Sequence, residues 1–586
     1  MKISIQQTHH KIADFKSVFE SLKEIANNSD KKELHIFPEL FLTGYPLQDI
    51  CLQRSFIDSY LEFFDDLQSW IKNYKNSEFC MLVGGLNYIF EGTNKEVPKR
   101  IENVVFQLIP GEKIVPLYTK MLLPNYDIFD EKKYYAKGES AKTIVYNDKK
   151  IGLLICEDMW FSSLHNINPV KTLAELNEDL DLVVNLSASP YNLYKGEKRL
   201  ERAKAISKEL QSPFVYVNKV GSEDEIIFDG NSFAVNGNSV IHKLNSFTKD
   251  THSFDLPSYS NDTIDQEENV SNTWEGLFSP DIVYPNNGLP RLRQLTDNDC
   301  QEIVDALCFG VQEYATKSFF NKFLIALSGG LDSALVLAIL KISLKKGQEL
   351  EAIYMPSEFS RDISHDASKE MCEKANIPFH VLPINGAHNF CRDLINKELG
   401  SPLEGLADEN IQSRLRGMLL FSRSNQNNSL VINTSNKSEL SVGYSTIYGD
   451  SVGAISLLGD VYKSEAFELA KYINRKYDNL IPSEIITRPP SAELREEQVD
   501  TDSLPPYERM DTILEGILSY RLSGQQLINY GFDIEEVERV IDLYRKTEYK
   551  RAQFCPILKI KSKSFGFGYR VPICKDSNYY KKLSKK

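Results

Sequence analysis

The sequence has no long apolar run, no clustered cysteines and no excess of positive charge. No stretch reaches the roughly 18 consecutive apolar residues that a membrane-spanning helix needs, and the N-terminal MKISIQQTHH lacks the apolar segment of a secretory signal. The nine cysteines are odd in number and form neither a CxxC pair nor a metal-ligand spacing, which favours a reducing compartment over a disulfide framework. These absences predict a cytoplasmic protein.

The balance of charge argues against a protein that binds nucleic acids or anionic membranes. The net charge is −14, from 68 basic and 82 acidic residues, so the basic field that nucleic acids or anionic membranes require is missing. Hydrophobic residues make up 42% of the chain, as in ordinary globular proteins, and 586 residues are enough for two or more domains. We therefore expect a multidomain protein that binds neither nucleic acid nor membrane.

Three reactive residues of the first half lie in or next to short apolar segments. Glu39 follows ELHIFP, Lys120 lies in YTKMLLPNYDIFDE, and Cys156 ends the apolar run KIGLLIC. A thiol nucleophile needs a base and a cation that stabilises the developing oxyanion, and a carboxylate and an ammonium can fill these roles. Taken singly, a cysteine at a strand end is usually a small buried hydrophobe, and Glu or Lys is usually solvated. The three together favour a catalytic set.

The order Glu, Lys, Cys and the sequences around these residues resemble the nitrilase (carbon–nitrogen hydrolase) superfamily over about residues 1–255. The resemblance implies an α-β-β-α sandwich in which Glu39 is the general base, Lys120 stabilises the tetrahedral intermediate and Cys156 is the nucleophile. In the glutaminase branch of that superfamily, the matching glutamine-binding positions would be Tyr126, Phe129, Glu131, Ser189 and Lys195.

A phosphate-binding loop is predicted in the second half, which we place at residues 291–586 after a polar linker at 256–290. In KFLIALSGGLDSALVLA, an apolar strand leads through Ser328, Gly329 and Gly330 into a helix. Backbone N–H groups at such a helix start bind phosphate. Asp332 would repel phosphate unless a cation lay between them, so we interpret it as a metal ligand. No Gly-Lys-Ser/Thr follows, which excludes a Walker A loop.

SGGLDS resembles the signature of the ATP pyrophosphatase family, whose members cleave ATP to AMP and pyrophosphate. An ordinary strand–turn–helix is the alternative, and six matching residues disfavour it. Further strand-like segments at 349–355 and 379–383 alternate with helix-like ones, and this rhythm favours a doubly wound parallel α/β domain.

Later segments narrow the resemblance to the NAD⁺ synthetase family. They are ENIQSRLRG, NTSNKSELSVGYSTIYGD and GDVYKSE. The resemblance implies Mg²⁺ with ATP, and it implies metal ligands at Asp332, Glu439 and Asp450. The implied ATP contacts are Ser328, Gly329, Gly330, Asp332, Ser333, Thr434 and Lys463. The implied deamido-NAD⁺ contacts are Arg414, Lys437, Glu439, Tyr444, Asp450 and Lys550.

Together the two resemblances imply an enzyme that releases ammonia from glutamine and uses it to amidate deamido-NAD⁺ through an acyl-adenylate. Its products would be NAD⁺, AMP, pyrophosphate and glutamate, and a homo-oligomer is expected. Two alternatives remain at this point. One is another glutamine-fed ATP pyrophosphatase, such as a GMP- or asparagine-forming synthetase, which the nitrilase-like half disfavours. The other is a catalytically silent nucleotide-binding scaffold.

Overall fold

The computed structural model describes residues 1–91, 97–161, 165–176, 179–260, 282–283, 289–491, 493–496, 498–500 and 504–575. The chain divides into an N-terminal unit, Met1–Ser279, and a C-terminal unit, Pro280–Lys586. Most of the predicted linker at 256–290 lies outside the described residues, so the predicted domain boundaries stay a prediction. No helix in the described ranges is long and apolar enough to cross a membrane.

The described residues of the N-terminal unit form fourteen strands and five α-helices. The strands are β1 (Lys2–Gln7), β2 (Glu33–Ile36), β3 (Phe79–Ile89), β4 (Arg100–Leu108), β5 (Val115–Thr119), β6 (Thr143–Tyr146), β7 (Lys149–Ile155), β8 (Leu182–Ser187), β9 (Phe214–Asn218), β10 (Val220–Glu223), β11 (Ile226–Asp229), β12 (Phe233–Asn236), β13 (Ser239–Lys243) and β14 (Asp250–Asp255). The helices are α1 (Phe15–Asn28), α2 (Arg54–Asn73), α3 (Glu131–Tyr134), α4 (Pro169–Ala174) and α5 (Lys195–Glu209). Short 3₁₀ helices span Gln48–Leu52 and Cys156–Met159.

Two six-stranded sheets form the centre of this unit. Their strand orders are β14-β1-β2-β3-β4-β5 and β13-β12-β9-β8-β7-β6, and β10 pairs with β11 in a separate hairpin. The inner faces share one apolar core, to which β1 contributes Ile3 and Ile5 and β7 contributes Ile151 and Leu153. Strands β1 to β3 are parallel, as are β7 to β9, so Glu39 and Cys156 follow parallel strands.

Helices cover the outer faces of both sheets. Val18, Leu22 and Ala26 are buried at four-residue intervals, which gives α1 a single apolar face. Aromatic contacts join α1 to α2 and α2 to the outer face of β4, where the ring centroids of Phe64 and Phe106 lie 4.9 Å apart. On the other sheet, α4 and α5 share a core cluster with β8, β9 and β12. The predicted α-β-β-α sandwich is confirmed.

The C-terminal unit contains a five-stranded sheet surrounded by helices. Its strands are β17 (Lys322–Ala326), β18 (Glu349–Tyr354), β19 (Phe379–Val381), β20 (Leu430–Asn433) and β21 (Ile455–Ser456), after a short pair β15 (Ile282–Val283) and β16 (Arg291–Leu292). The helices are α6 (Asp297–Lys317), α7 (Leu331–Ser343), α8 (Asp362–Ala375), α9 (Asn385–Leu399), α10 (Leu406–Asn427), α11 (Lys437–Val442), α12 (Lys463–Lys476), α13 (Ser483–Thr487), α14 (Tyr507–Leu518), α15 (Gly524–Asn529), α16 (Ile534–Lys546) and α17 (Glu548–Arg551).

The strand order of this sheet locates its functional edge. The order is β19-β18-β17-β20-β21, and every pairing is parallel. The chain therefore runs from β17 toward one edge of the sheet and from β20 toward the other, so the switch point lies between β17 and β20. Ligands of such sheets bind beyond the carboxyl ends of the strands at the switch point. SGGLDS follows β17 and NTSNKSE follows β20. The predicted doubly wound α/β domain is confirmed.

Candidate active sites

In the N-terminal unit, Lys120 lies between two buried carboxylates. Its ammonium donates to Glu39 Oε1 at 2.7 Å and to the two carboxylate oxygens of Glu131 at 2.9 and 2.8 Å. Burial alone would lower the pKa of Lys120, but the charges of Glu131 and Glu39 outweigh it and hold that pKa well above its usual range. Burial raises the pKa of Glu131 to about 7, although Lys120 opposes the shift. The amine is therefore a permanent cation.

The carboxylate of Glu39 is oriented by groups from distant parts of the chain. Asn103 Nδ2 on β4 donates to Oε1 at 2.7 Å, and the backbone N–H of Ala188 donates to Oε2 at 2.9 Å. Gly84 lets β3 approach this segment closely, since a Cβ there would lie 2.4 Å from the backbone nitrogen of Leu40. The sequence analysis did not identify Asn103, whose only sequence signal is an amide inside an apolar strand.

Cys156 occupies a constrained turn directly after β7. Its φ of +43° lies in the left-handed region, which non-glycine residues rarely adopt. Asn185 on β8 stabilises the turn from both sides, because Oδ1 accepts from the Cys156 N–H at 2.9 Å and Nδ2 donates to its carbonyl at 3.3 Å. The residue is held by both of its backbone polar groups, so its position on the strand end is fixed.

The surroundings of Cys156 favour the protonated form of its thiol. Its pKa lies well above the usual range because the side chain is buried and Glu39 is close, and the nearby charge of Lys120 only partly offsets this. A thiol in that state becomes a nucleophile only when a base removes its proton during attack. Among the nearby carboxylates, Glu39 raises the pKa of this thiol most, so it is the candidate base.

Tyr126 lies beside Glu157, the residue that follows Cys156, and Phe129 packs against Tyr126. The Tyr126 hydroxyl donates to the carboxylate of Glu157, with oxygen distances of 3.1 and 3.0 Å. The two aromatic rings meet edge to face with centroids 5.4 Å apart. The predicted amide-pocket residues are therefore in mutual contact next to Cys156.

Ser189 lies in the loop before α5, and Lys195 is the first residue of that helix. The Ser189 N–H donates to Asn218 Oδ1 at 2.8 Å, and its carbonyl accepts from Arg199 at 2.9 Å. Burial lowers the pKa of Lys195 to about 8, with the charge of Arg199 adding to the effect and that of Cys156 opposing it. Lys195 is thus within electrostatic range of Cys156.

In the C-terminal unit, SGGLDS forms a hydrogen-bonded loop between β17 and α7. The Ser328 N–H donates to Ser333 Oγ at 3.2 Å, and the Gly330 N–H donates to Ser328 Oγ at 3.2 Å. Gly329 has a φ of +76°, and a Cβ there would lie 2.5 Å from the carbonyl oxygen of Ser364. Only glycine fits at this position, because the loop backbone passes too close to α8 for a Cβ.

Lys463 links the phosphate loop to the segment after β20. Its ammonium donates a short hydrogen bond to Asp332 Oδ2 and lies 3.5 Å from Glu439 Oε1. Asn436 Nδ2 donates to Asp332 Oδ1 at 3.3 Å. Burial raises the pKa of Glu439 to about 8, and the charge of Asp332 raises it further while Lys463 opposes. Two carboxylates from different segments therefore converge on one ammonium.

These groups open onto a cavity of about 430 Å³ in the C-terminal unit, which we call the reaction cavity. Most of the predicted ligand-binding residues line it: Ser328, Gly330, Asp332, Ser333, Thr434, Glu439, Tyr444, Asp450, Lys463 and Lys550. Lys550 donates to the carbonyls of Gly443 and Ser445, both at 2.7 Å. Asp450 Oδ1 accepts from the Thr446 N–H at 2.7 Å and from Ser413 Oγ at 2.9 Å.

Three predicted residues are not brought to the reaction cavity. Lys437 is fully buried, pairs with Asp460 at 2.9 Å and donates to the carbonyl of Lys563 at 2.7 Å. Arg414 donates to the carbonyl of Ile447 at 3.2 Å and lies on another part of the surface of α10. Gly329 packs against Ser364 of α8 and is not among the residues that line the cavity.

The reaction cavity also contains residues that the sequence analysis missed. Asp500 accepts hydrogen bonds from the hydroxyls of Tyr444 at 3.3 Å and Tyr507 at 2.8 Å, and burial raises its pKa. Arg488 donates to the carbonyl of Gly329 and, at 2.8 Å, to Ser364 Oγ. The Pro-Pro pair after Arg488 marks a turn, but no sequence pattern places this arginine at the loop.

Within the part of the chain that the structure describes, no three His, Cys, Asp or Glu side chains converge on a common metal position. Asp332 and Glu439 do converge, and Asp450 is not grouped with them. A divalent cation at this site would therefore need oxygen ligands from a bound phosphate to complete its shell, as is usual for Mg²⁺.

The folds and sites define a two-unit enzyme, in which a thiol-based amide-cleaving unit precedes a nucleotide phosphate-binding unit. Residues 2–259 match the carbon-nitrogen hydrolase family and residues 303–554 match the NAD synthase family. The chain is 36% identical, over 92% of both chains, to the glutamine-dependent NAD(+) synthetase of Synechocystis sp.. It is 34% identical to the enzyme of that name from Acinetobacter baylyi, over 98% of both chains.

A solved structure extends the similarity to three dimensions. The glutamine-dependent NAD+ synthetase of Acinetobacter baumannii, in complex with ADP, superposes with a TM-score of 0.68 and is 32% identical over 98% of both chains. The synthetase of the same name from Cytophaga hutchinsonii has a TM-score of 0.75 at 19% identity, which supports the fold. The chain belongs to the glutamine-dependent NAD⁺ synthetase family.

Proposed function

We propose that this protein makes NAD⁺ from deamido-NAD⁺ and ATP, with glutamine as the nitrogen donor. One observation carries the proposal: both buried sites, Glu39–Lys120–Cys156 and Asp332–Glu439–Lys463, occur in one chain that matches glutamine-dependent NAD⁺ synthetases from end to end. A homo-oligomeric assembly and a cytoplasmic location stay predictions from the sequence.

The N-terminal site supplies ammonia. Cys156 Sγ attacks the carboxamide carbon of glutamine as Glu39 takes the thiol proton. The oxyanion forms near the Lys120 ammonium, a permanent cation in a water-poor site, where such stabilisation is strong. Glu39 returns the proton to the leaving nitrogen, so ammonia departs and a thioester remains. Water, deprotonated by Glu39, then releases glutamate and restores the thiol.

The C-terminal site consumes that ammonia. The nicotinate carboxylate of deamido-NAD⁺ attacks the α-phosphorus of ATP, which forms a carboxyl–phosphate bond and expels pyrophosphate. Ammonia then attacks the acyl carbon, and AMP leaves. Ser328, Gly330, Ser333 and the ammonium of Lys463 line the reaction cavity, where they would stabilise the charge that develops on the phosphates.

We propose Mg²⁺ as the cofactor, because Asp332 and Glu439 fit it. Their carboxylates share one ammonium, and the charge of Asp332 helps to raise the pKa of Glu439 to about 8, after burial as the larger cause. A further cation is therefore favoured there. Bound Mg²⁺ would neutralise phosphate charge. Asp450, which lines the same cavity, is proposed as a contact to the nicotinate part of the substrate or to a second ion.

The products of the ammonium-driven reaction test this assignment. With deamido-NAD⁺, ATP, Mg²⁺ and ammonium, we expect one AMP and one pyrophosphate for each NAD⁺, measured by separation of the nucleotides and a coupled pyrophosphate assay. Formation of ADP and phosphate would overturn the acyl-adenylate. Failure to form NAD⁺ from either ammonium or glutamine would overturn the assigned acceptor.

A further inference from the structure

Asp511 on α14 is fully buried and is not among the residues that line the reaction cavity. Its Oδ1 accepts from the Ser438 hydroxyl at 2.5 Å. Its Oδ2 accepts from the Ser464 N–H at 3.0 Å and the Ser464 hydroxyl at 2.8 Å. One carboxylate therefore joins two segments that are separated in the chain.

The two serines that Asp511 contacts are the chain neighbours of the charged pair at the cavity. Ser438 precedes Glu439 in α11, and Ser464 follows Lys463 in α12. Ser438 Oγ also accepts from the Lys463 N–H at 2.8 Å. Asp511 therefore links Ser438, next to Glu439, to Ser464, next to Lys463.

This arrangement fixes the relative position of the two helix starts. A hydroxyl that donates to a carboxylate and accepts from a backbone N–H has its geometry determined from both sides. The Asp511 carboxylate accepts from the first turn of α12, where the helix dipole also favours a negative charge. Without the carboxylate, the Ser464 N–H and two hydroxyls would lose partners inside a dry core, which is costly.

We propose that Asp511 is a positioning residue that sets the 3.5 Å approach of Lys463 to Glu439, and thereby the geometry in which ATP phosphates and their Mg²⁺ are held. It acts through Ser438 and Ser464 and does not touch substrate. The proposal rests on the proposed function for the identity of the ligand.

The test is Asp511→Asn, with Thr512→Val as the matched control. Thr512 is also buried on α14, and among the described residues its hydroxyl donates to the Glu508 carbonyl of the same helix and accepts from the Leu292 N–H, away from α11 and α12. Ser438→Ala removes the Ser438–Asp511 hydrogen bond from the serine side. It is the replacement variant if Asp511→Asn does not fold. Folded fractions are measured by thermal unfolding and the assays are run well below the transition.

Three readouts are expected to change in Asp511→Asn. The ammonium-driven rate should fall about 10- to 100-fold, the range seen when a residue that orients a metal ligand is removed. The Mg²⁺ concentration for half-maximal rate should rise. ADP binding in the presence of Mg²⁺, measured by calorimetry without turnover, should weaken by a similar factor. Ser438→Ala should shift the same readouts, and the double variant should be no worse than Asp511→Asn alone.

Glutaminase activity should stay at the wild-type level in every variant. Equal ADP affinity and Mg²⁺ midpoint in Asp511→Asn, Thr512→Val and wild type would overturn the positioning role, whatever the stability of the variants. Because ADP binding needs no NAD⁺ formation, a wild-type protein that makes no NAD⁺ would contradict the proposed function while this comparison still decided the role of Asp511.

Discussion

Lys120 and Glu131 form a two-oxygen ion pair inside the N-terminal unit, with N–O distances of 2.9 and 2.8 Å. Glu131 is held in turn by the Tyr45 hydroxyl, which donates to Oε1 at 3.0 Å. The contact fixes the ammonium on one side while Glu39 holds it on the other. Glu131 therefore sets the position of the cation that we propose stabilises the oxyanion.

The variant Glu131→Gln tests this role. The amide keeps the shape but loses the charge and one acceptor oxygen, so Lys120 is held less firmly near the oxyanion. We expect glutamine-driven NAD⁺ formation to fall about 10- to 100-fold, with the ammonium-driven rate unchanged. Glu139→Gln, at an exposed position after α3, is the control and should behave as wild type. An equal loss with ammonium would contradict a role confined to glutamine cleavage.

The low pKa of Lys195 predicts a pH dependence for glutamine use. Burial lowers this pKa to about 8, so the ammonium loses its proton as the pH rises through that value. If Lys195 binds the carboxylate end of glutamine, kcat/KM for glutamine should decrease above pH of about 8, because this parameter reports the free enzyme.

The variant Lys195→Arg separates this effect from other ionisations. A guanidinium stays charged throughout, so the decrease near pH 8 should vanish or move to higher pH. Lys208→Gln, at an exposed position near the end of the same helix, should keep the wild-type profile. An unchanged profile in Lys195→Arg would exclude Lys195 as the titrating group.

Gly84→Ala tests the close approach behind Glu39. The added Cβ would lie 2.4 Å from the Leu40 nitrogen and 2.7 Å from the Pro38 carbonyl oxygen, so the Glu39 segment must move. We expect the variant to lose about 1–3 kcal/mol of unfolding free energy, as overpacked sites do, and most of its glutaminase rate. Urea unfolding and glutamate release measure the two effects. Gly386→Ala, where a Cβ meets nothing within 4 Å, should leave both unchanged.

Asp332→Asn tests the phosphate site. Lys463 would lose its closest carboxylate, and the cavity would lose one of two metal-ligand candidates. NAD⁺ formation with either nitrogen donor should decrease about 100- to 1,000-fold, as when a preorganised electrostatic contact is removed. Glutamate release should persist. Asp393→Asn, exposed on α9, should match wild type in both assays, and normal NAD⁺ formation by Asp332→Asn would reject the site.

Local sequence predicted both folds and the positions of the candidate site residues relative to the strands. Glu39, Cys156 and Asp332 each follow an apolar strand within a few residues, so the segment that positions them is visible in the sequence. The groups that orient them come from elsewhere: Asn103 and Ala188 reach Glu39 from β4 and from the loop after β8. A linear pattern does not contain such tertiary contacts.

Lys437 shows that a sequence motif can also suggest a ligand contact that tertiary packing does not provide. It lies in the NTSNKSE motif beside Glu439, and so it was predicted to contact the substrate. In the structure its ammonium pairs with Asp460, 23 positions further along, in a core that excludes water. Which side of a short helix faces the ligand depends on packing, and six residues of α11 are too few for a periodic pattern to define it.

The most direct test of the whole account compares the two nitrogen donors in wild type and Cys156→Ala. NAD⁺ is measured with deamido-NAD⁺, ATP and Mg²⁺, and with either glutamine or ammonium. We predict that the variant loses the glutamine-driven reaction and keeps the ammonium-driven one at the wild-type rate. Continued use of glutamine by Cys156→Ala would contradict the account, because glutamine nitrogen would then reach NAD⁺ without the Cys156 thioester.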